Sequence, residues 1–460
     1  MRILCSLVLF VALPTMAAPI ETFRLHPGNP RYFQWQGKPT VLITATEHYG
    51  AVLNLDFDYV AYLNELQRYG LNLTRTFSGT YREIPGSFNI KENTLAPKPG
   101  RFVCPWASAD GNKFDLTKWD AAYFTRLKDF IAEAGKRGII VELVFFCTMY
   151  GDELWQASPM NVRNNVNGIG NVGAYEVYAI KEKALQEVQE TMVQKVVTEL
   201  NGAPNLYYEI CNEPYERGGL TKQWTHAIAD RIVAAESKLP RKHLIAEGIN
   251  RKSKVVDPHP AVSIFNIHAA TAESVKMNDI PKAFGDDETG GKGIKDFPYR
   301  SEGWEFMLAG GAVFDHLDFS FTVAYPDGTH KLTDEPGGGG PALRNQLKVL
   351  KDFFASINFV KMRSDTNVVH SVRAIDAGEK SKSIKVQALV EPGVAYAVYF
   401  NGRGPCEVTL DLPAATYRTE WINPVTGAVD GESLDHSGGL KKLRSPSFVE
   451  DIALRIKRSR

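Results

Sequence analysis

Between residues 39 and 356 the chain repeats one pattern: a short run rich in β-branched and aromatic residues, then an amphipathic stretch at helical spacing. The β-rich runs are 41–47, 71–77, 139–147, 206–213, 243–247, 263–268, 282–288 and 312–319. Helix-like stretches at 57–69, 119–137, 175–200, 221–239, 302–308 and 342–357 alternate with them. In the first, Tyr59, Leu63, Leu66 and Tyr69 share a face, and Gly70 and Gly138 each stop a helix directly before the next strand. Strands separated by helical crossovers pair in parallel. Eight of them predict a (β/α)8 TIM barrel over residues 19–360. An open doubly wound sheet is the competing arrangement. Against it, Glu47, His48, Arg75, Glu213, His268 and Glu288 all fall at the C-terminal ends of runs, as the single site of a closed barrel requires.

Beyond residue 358 the pattern changes. Runs at 384–390, 394–400, 406–412, 418–423 and 453–457, broken by turns such as Pro392-Gly393 and Asn401-Gly402, predict a small all-β sandwich over 361–460. It holds no acid/base pair, which makes it structural or carbohydrate-binding. At the other end, Arg2, the apolar run 3–13 and the small-residue exit Pro14-Thr15-Met16-Ala17-Ala18 read as a signal peptide of residues 1–18. The mature protein is therefore expected to be secreted or periplasmic, and no later segment is long and apolar enough for a membrane span. Lys+Arg and Asp+Glu number 53 each, so no net charge draws the chain to nucleic acid, and a neutral partner is expected. Cys104, Cys147, Cys211 and Cys406 match no zinc spacing. Cys147 and Cys211 lie near the ends of successive strands and read as two buried thiols, with a disulfide as the alternative.

The chemistry concentrates at the strand ends. The run 206–213 closes in Asn212-Glu213-Pro214, where the proline ends the ladder and lets the backbone turn the amide and the carboxylate toward one cavity. A second acidic group, Asp286-Asp287-Glu288, ends the seventh run. Two carboxylates on separate strand ends are the minimum equipment for cleaving a glycosidic bond. Glu288, the longest and nearest the loop, is the expected partner of Glu213, with Asp286 and Asp287 competing and Ca²⁺ binding by all three as the alternative. Glu209 shares the face of Glu213 but lies deeper, so it needs a base such as Arg75 and reads as support or as a misassigned acid. Arg75 can hold an ionised carboxylate in place, which suits a nucleophile. His48 and His268 are placed to orient a carboxylate or touch substrate. Aromatic residues crowd the same end, among them Trp106, Tyr150, Trp155 and Tyr215, and apolar sugar faces stack on such rings.

No cofactor and no metal is expected. Gly168-Ile169-Gly170-Asn171-Val172-Gly173 fits a dinucleotide fingerprint but follows a polar run, not a strand. Adjacent Glu47 and His48 alternate faces and chelate poorly. The loops 78–118 and 148–174 are long enough to be functional, and 337–340 reads as a flexible glycine loop. Asn72-Leu73-Thr74 fits a glycosylation sequon inside an expected buried strand.

The chain resembles the clan A retaining glycoside hydrolases, in particular cellulase-like barrels and apiosidase-like relatives with a C-terminal β-domain. The resemblance lies in Leu71-Asn72-Leu73-Thr74-Arg75, in Glu209 to Pro214, Phe265 to His268 and Phe284 to Gly290, and in Trp155 to Asn165 and Trp304 to Leu317. It implies a retaining β-glycoside hydrolase acting on a neutral oligo- or polysaccharide, with Glu213 as acid/base, Glu288 as nucleophile, Asn212 at the sugar 2-hydroxyl and Arg75 steadying Glu288. Two departures alter the sugar site. Ala269-Ala270 follow His268 where relatives carry an aromatic, and Asp315-His316-Leu317-Asp318-Phe319 stand where a Trp is expected. The alternatives are a carbohydrate-binding barrel that has lost turnover and a metal-dependent hydrolase.

Overall fold

A computed structural model describes residues 21–215, 220–375 and 383–459. The expected signal peptide lies outside them.

Eight strands form the central sheet: β1 (Leu42–Thr46), β2 (Leu73–Phe77), β3 (Ile140–Cys147), β4 (Leu206–Asn212), β5 (Leu244–Gly248), β6 (Val262–Asn266), β7 (Ala283–Thr289) and β8 (Val313–Leu317). They pair in parallel in the order β1-β8-β7-β6-β5-β4-β3-β2. The seam between β1 and β2 is closed largely by side chains. Asn72 accepts from the Ile43 N–H at 3.0 Å and donates to the Val41 carbonyl at 2.9 Å, while Thr44 donates to the Leu73 carbonyl at 2.7 Å. The asparagine of the sequon is thus committed to the seam, and Thr74 is hydrogen-bonded to Tyr62.

Helices begin where side chains cap them. Asp58 accepts from the N–H groups of Val60 and Ala61 ahead of Tyr59–Arg68, and Asp120 does the same ahead of Ala121–Lys136. Gly70 and Gly138 follow these helices at φ of 66° and 71°, a left-handed turn that glycine adopts without strain. The helix expected over 175–200 starts only at Lys183, because Ile180 sits at φ 58° and interrupts the turn before it.

Three antiparallel strands, Arg24–His26, Asn29–Trp35 and Lys38–Thr40, were not anticipated by the alternating pattern. They cover the N-terminal end of the barrel, where Phe23 stacks on Tyr207 at 5.9 Å. The C-terminal strands form one six-stranded and one three-stranded antiparallel sheet around a core of their own, a sandwich. This module docks on the outer helix Asp296–Leu308. Arg300 pairs with Asp451 at 2.9 Å, and Trp304 stacks on Tyr399 at 5.4 Å.

The glycine run 337–340 is not a flexible loop. A Cβ on Gly337 would stand 2.2 Å from the Phe319 ring, and one on Gly339 would meet the Asp318 carboxylate at 1.9 Å. At 337 to 339 no side chain fits, because the backbone passes directly against Phe319, Tyr299 and Asp318 in turn.

Candidate active site

At the C-terminal end of the barrel a cavity of about 270 Å³ is bordered by Glu213, Glu288, His268, Asn212, Tyr150, His48 and Tyr49. Glu213 is the first residue past β4 and sits at φ 48°. A non-glycine residue there costs on the order of 1–3 kcal/mol and needs support from its surroundings. Tyr150 supplies it by donating its hydroxyl proton to the Glu213 carboxylate, and Thr148 donates to the Glu213 carbonyl at 2.6 Å. Tyr49 (φ 58°) and Ala269 (φ 50°) repeat the same left-handed turn after β1 and β6, so three strand ends bend into one cavity.

Strand β7 reaches the site by a different device. Consecutive strand residues face opposite sides, so Asp287 and Glu288 should diverge. The register slips against β8 between Asp286 and Thr289, and this bulge turns both side chains inward. Asp287 lies 3.2 Å from Arg75 and Glu288 lies 3.4 Å from it. Asp287 is fully buried below the cavity, whereas Glu288 borders it and is 24 % exposed. Asp286 lies away from both, fully buried, and the nearby Glu302 anion adds to a burial cost that pushes its carboxyl well above the usual range.

His268 joins the two outer carboxylates. Its Nδ1 lies 3.1 Å from Glu213 Oε1 and 3.6 Å from Glu288 Oε1. The two oxygens therefore lie no farther apart than the sum of those distances. That ceiling falls at the bottom of the inverting range of ~6.5–9.5 Å and admits the ~5–5.5 Å of retaining enzymes. Burial disfavours a charged imidazole, but the anions of Glu288, Asp287 and Glu213 outweigh it and push His268 up to about 10.

Glu213 departs from the raised pKa that an acid in this role is expected to have. Burial pushes its carboxyl up, yet the hydrogen bond and charge of His268 and the hydroxyl of Tyr150 hold it below the ordinary value. The proton of this pair rests on the imidazole.

Beneath the cavity Arg75 donates to Glu209 Oε2 at 2.6 Å and to Asn212 Oδ1 at 2.8 Å, under the Tyr49 ring at 4.6 Å. Asn212 in turn donates to the Tyr150 hydroxyl at 3.0 Å. Glu209 is thus the partner of Arg75, one layer below the cavity, and burial pushes it up to about 7 against the pull of that cation. Glu142, Glu209 and Asp287 are the one carboxylate group among the described residues close enough to share an ion. The Arg75 guanidinium already lies among them, 3.9 Å from Glu142 and in contact with the other two. Sequence reasoning missed Glu142, although a lone acid inside an otherwise apolar run was its signal.

The remaining expected residues divide. His48 borders the cavity, its Nε2 3.2 Å from Glu83, a buried acid on the loop after β2 that had no sequence signal. Tyr215 packs edge-on to His268 at 6.4 Å and lines a neighbouring cavity. Trp106 and Trp155 are buried and border neither, and the indole of Trp155 donates to the Val172 carbonyl at 2.7 Å. The four described cysteines are free and buried.

No family model and no curated protein matches the sequence. Among solved structures, one described as a glycoside hydrolase aligns with a TM-score of 0.65 at 15% identity, over 95% of this chain and 97% of its own. A glycoside hydrolase family 5 protein from Bacteroides vulgatus aligns with a TM-score of 0.65 at 14% identity, over 95% and 93%. The chain has the fold of these proteins, from barrel through β-module. An endo-1,4-beta-mannanase from Rhizomucor miehei matches at a TM-score of 0.51 and 13% identity, over 73% of this chain and all of its own.

Proposed function

We infer that the protein is an exported retaining β-glycoside hydrolase acting on a neutral oligo- or polysaccharide. The observation that carries this reading is the convergence of Glu213 and Glu288 on one imidazole nitrogen at the rim of a cavity. In the first step the Glu288 carboxylate attacks the anomeric carbon. The bond to the leaving oxygen breaks, and that oxygen takes the proton shared by Glu213 and His268. In the second step Glu213 accepts a proton from water as the water attacks the same carbon, and Glu288 is released.

The lowered Glu213 fits this scheme through coupling. Glu288 is the strongest of the anions that keep His268 protonated. As Glu288 gives up its charge to the sugar, the imidazole loses its main reason to hold the proton, at the moment the leaving oxygen requires it. Arg75 orients Glu288 and the Asn212 amide together, which leaves that amide positioned for the sugar 2-hydroxyl. A binding-only barrel would have distant or salt-bridged carboxylates and a blocked cleft. Here both carboxylates are ion-paired, Glu213 with His268 and Glu288 with Arg75, but they converge and border an accessible cavity, which favours turnover.

The test is a panel of aryl glycosides and oligosaccharides with wild type, Glu213→Ala and Glu288→Ala. Both variants are expected to lose turnover, with azide restoring product of opposite anomeric configuration in the two. Full activity in either variant removes that residue from the mechanism.

A further inference from the structure

The geometry points to an exo-acting enzyme, whose cavity accepts one terminal sugar ring and is walled off behind it. This rests on the function proposed above and names the kind of bond that site takes. In a double displacement the nucleophile lies under the anomeric carbon and the acid stands beside the leaving oxygen. The leaving group must then lie past Glu213, and the ring being transferred must lie on the other side, toward β8, β1 and β2.

That side is closed. The loop after β2 carries Phe88, whose ring meets Tyr150 beyond β3 edge-on at 5.1 Å. Three residues further on, Lys91 forms an ion pair with Asp334 of the loop after β8. One loop thus spans from the β3 side to the β8 side and forms a continuous lip. The ion pair is too exposed to hold much energy, so it marks where the walls meet and does not lock them. Phe88 and Asn89 sit consecutively at φ 54° and 59°, a left-handed turn that brings the Phe88 ring to Tyr150. On the β8 side Phe319 is backed by the tightly packed glycines described above.

The part of the cavity on this side is bordered by Phe88, Ile90, Leu95, Leu317, Phe319 and Pro336, an apolar wall against which one ring can seat. Past Glu213 the arrangement is different. Among the described residues a second cavity of about 300 Å³, lined by Pro214, Tyr215, Glu247 and Phe265, lies on that side, where the departing part of the substrate would go.

The test uses 4-nitrophenyl β-glycosides of the common neutral sugars. For each sugar that is cleaved, the corresponding 4-nitrophenyl disaccharide is then followed by absorbance and chromatography. An exo enzyme must first remove the terminal sugar, so nitrophenolate is expected only after a lag, with free monosaccharide preceding it. Dyed cross-linked polysaccharides are expected to release no soluble colour. Nitrophenolate without a lag together with intact disaccharide would overturn the inference while leaving the glycosidase reading in place. Failure to cleave any glycoside or polysaccharide would overturn both.

Discussion

At the scale of single residues the account depends on who holds the proton. Glu213→Gln is expected to slow turnover by ~10²–10⁴-fold on alkyl leaving groups, the usual contribution of a general acid. With 2,4-dinitrophenolate, which departs without a proton, glycosylation should be nearly unaffected. The comparison of the two leaving groups checks it. His268 offers a sharper test. With its folded value pushed up to about 10, the Glu213–His268 pair keeps its single proton across neutral pH, and activity should decline on the alkaline side only toward that value. In His268→Gln the proton must sit on Glu213 itself, whose carboxyl loses the largest of the influences that lower it, keeps the Tyr150 hydroxyl and stays partly buried. The alkaline limb of kcat/KM is then expected to move to acidic pH. An unchanged limb would remove His268 from proton storage. Arg75→Met leaves Glu209 and Asp287 buried without their cation. A loss of about 3–5 kcal/mol in chemical denaturation is expected from that alone.

At the scale of elements, the barrel strands were legible because each is a buried run of β-formers between helices. Every barrel-strand boundary read from sequence lies within two residues of the observed one, whereas two helices start six to eight residues from their expected positions. What escaped was produced by pairing and not by composition. The bulge in β7 arises from its register against β8, and nothing in Asp286-Asp287-Glu288 alone says that two neighbours will face the same way. The short antiparallel strands at 24–40 and the helix Asp152–Ala157 have too few residues to establish a period. Glu83 and the lip residue Phe88 lie in a loop, where no periodicity points at a cavity. Trp106 and Trp155 show the opposite error: their position after strand ends was read as substrate contact, and their indoles pack inside the loops. The seam gives this scale its own test. Asn72→Ala removes two hydrogen bonds and leaves a buried N–H and carbonyl unpaired, each costing about 1–3 kcal/mol. Hydrogen exchange should rise at β1 and β2 first, ahead of the other strands.

For the whole molecule, buried acids tie stability to pH. Burial pushes Glu47 up to about 7, against hydrogen bonds from Thr94, Ala51 and Gly50, and Glu209 likewise to about 7. Both bind protons more tightly folded than unfolded. Their contribution is therefore complete below about 4.5 and is lost as pH rises through about 7. Thermal unfolding followed from pH 4.5 to 8 should show this decline, and Glu47→Gln, which keeps an acceptor but cannot ionise, should flatten it. The central claim is that Glu288 carries the sugar between two displacements. An activated 2-deoxy-2-fluoro β-glycoside of the preferred sugar should stall the enzyme after the first step, and peptide mass spectrometry should place one fluorosugar on Glu288. An adduct on Asp287 or Glu209, or turnover that proceeds with inversion and no adduct, would contradict it.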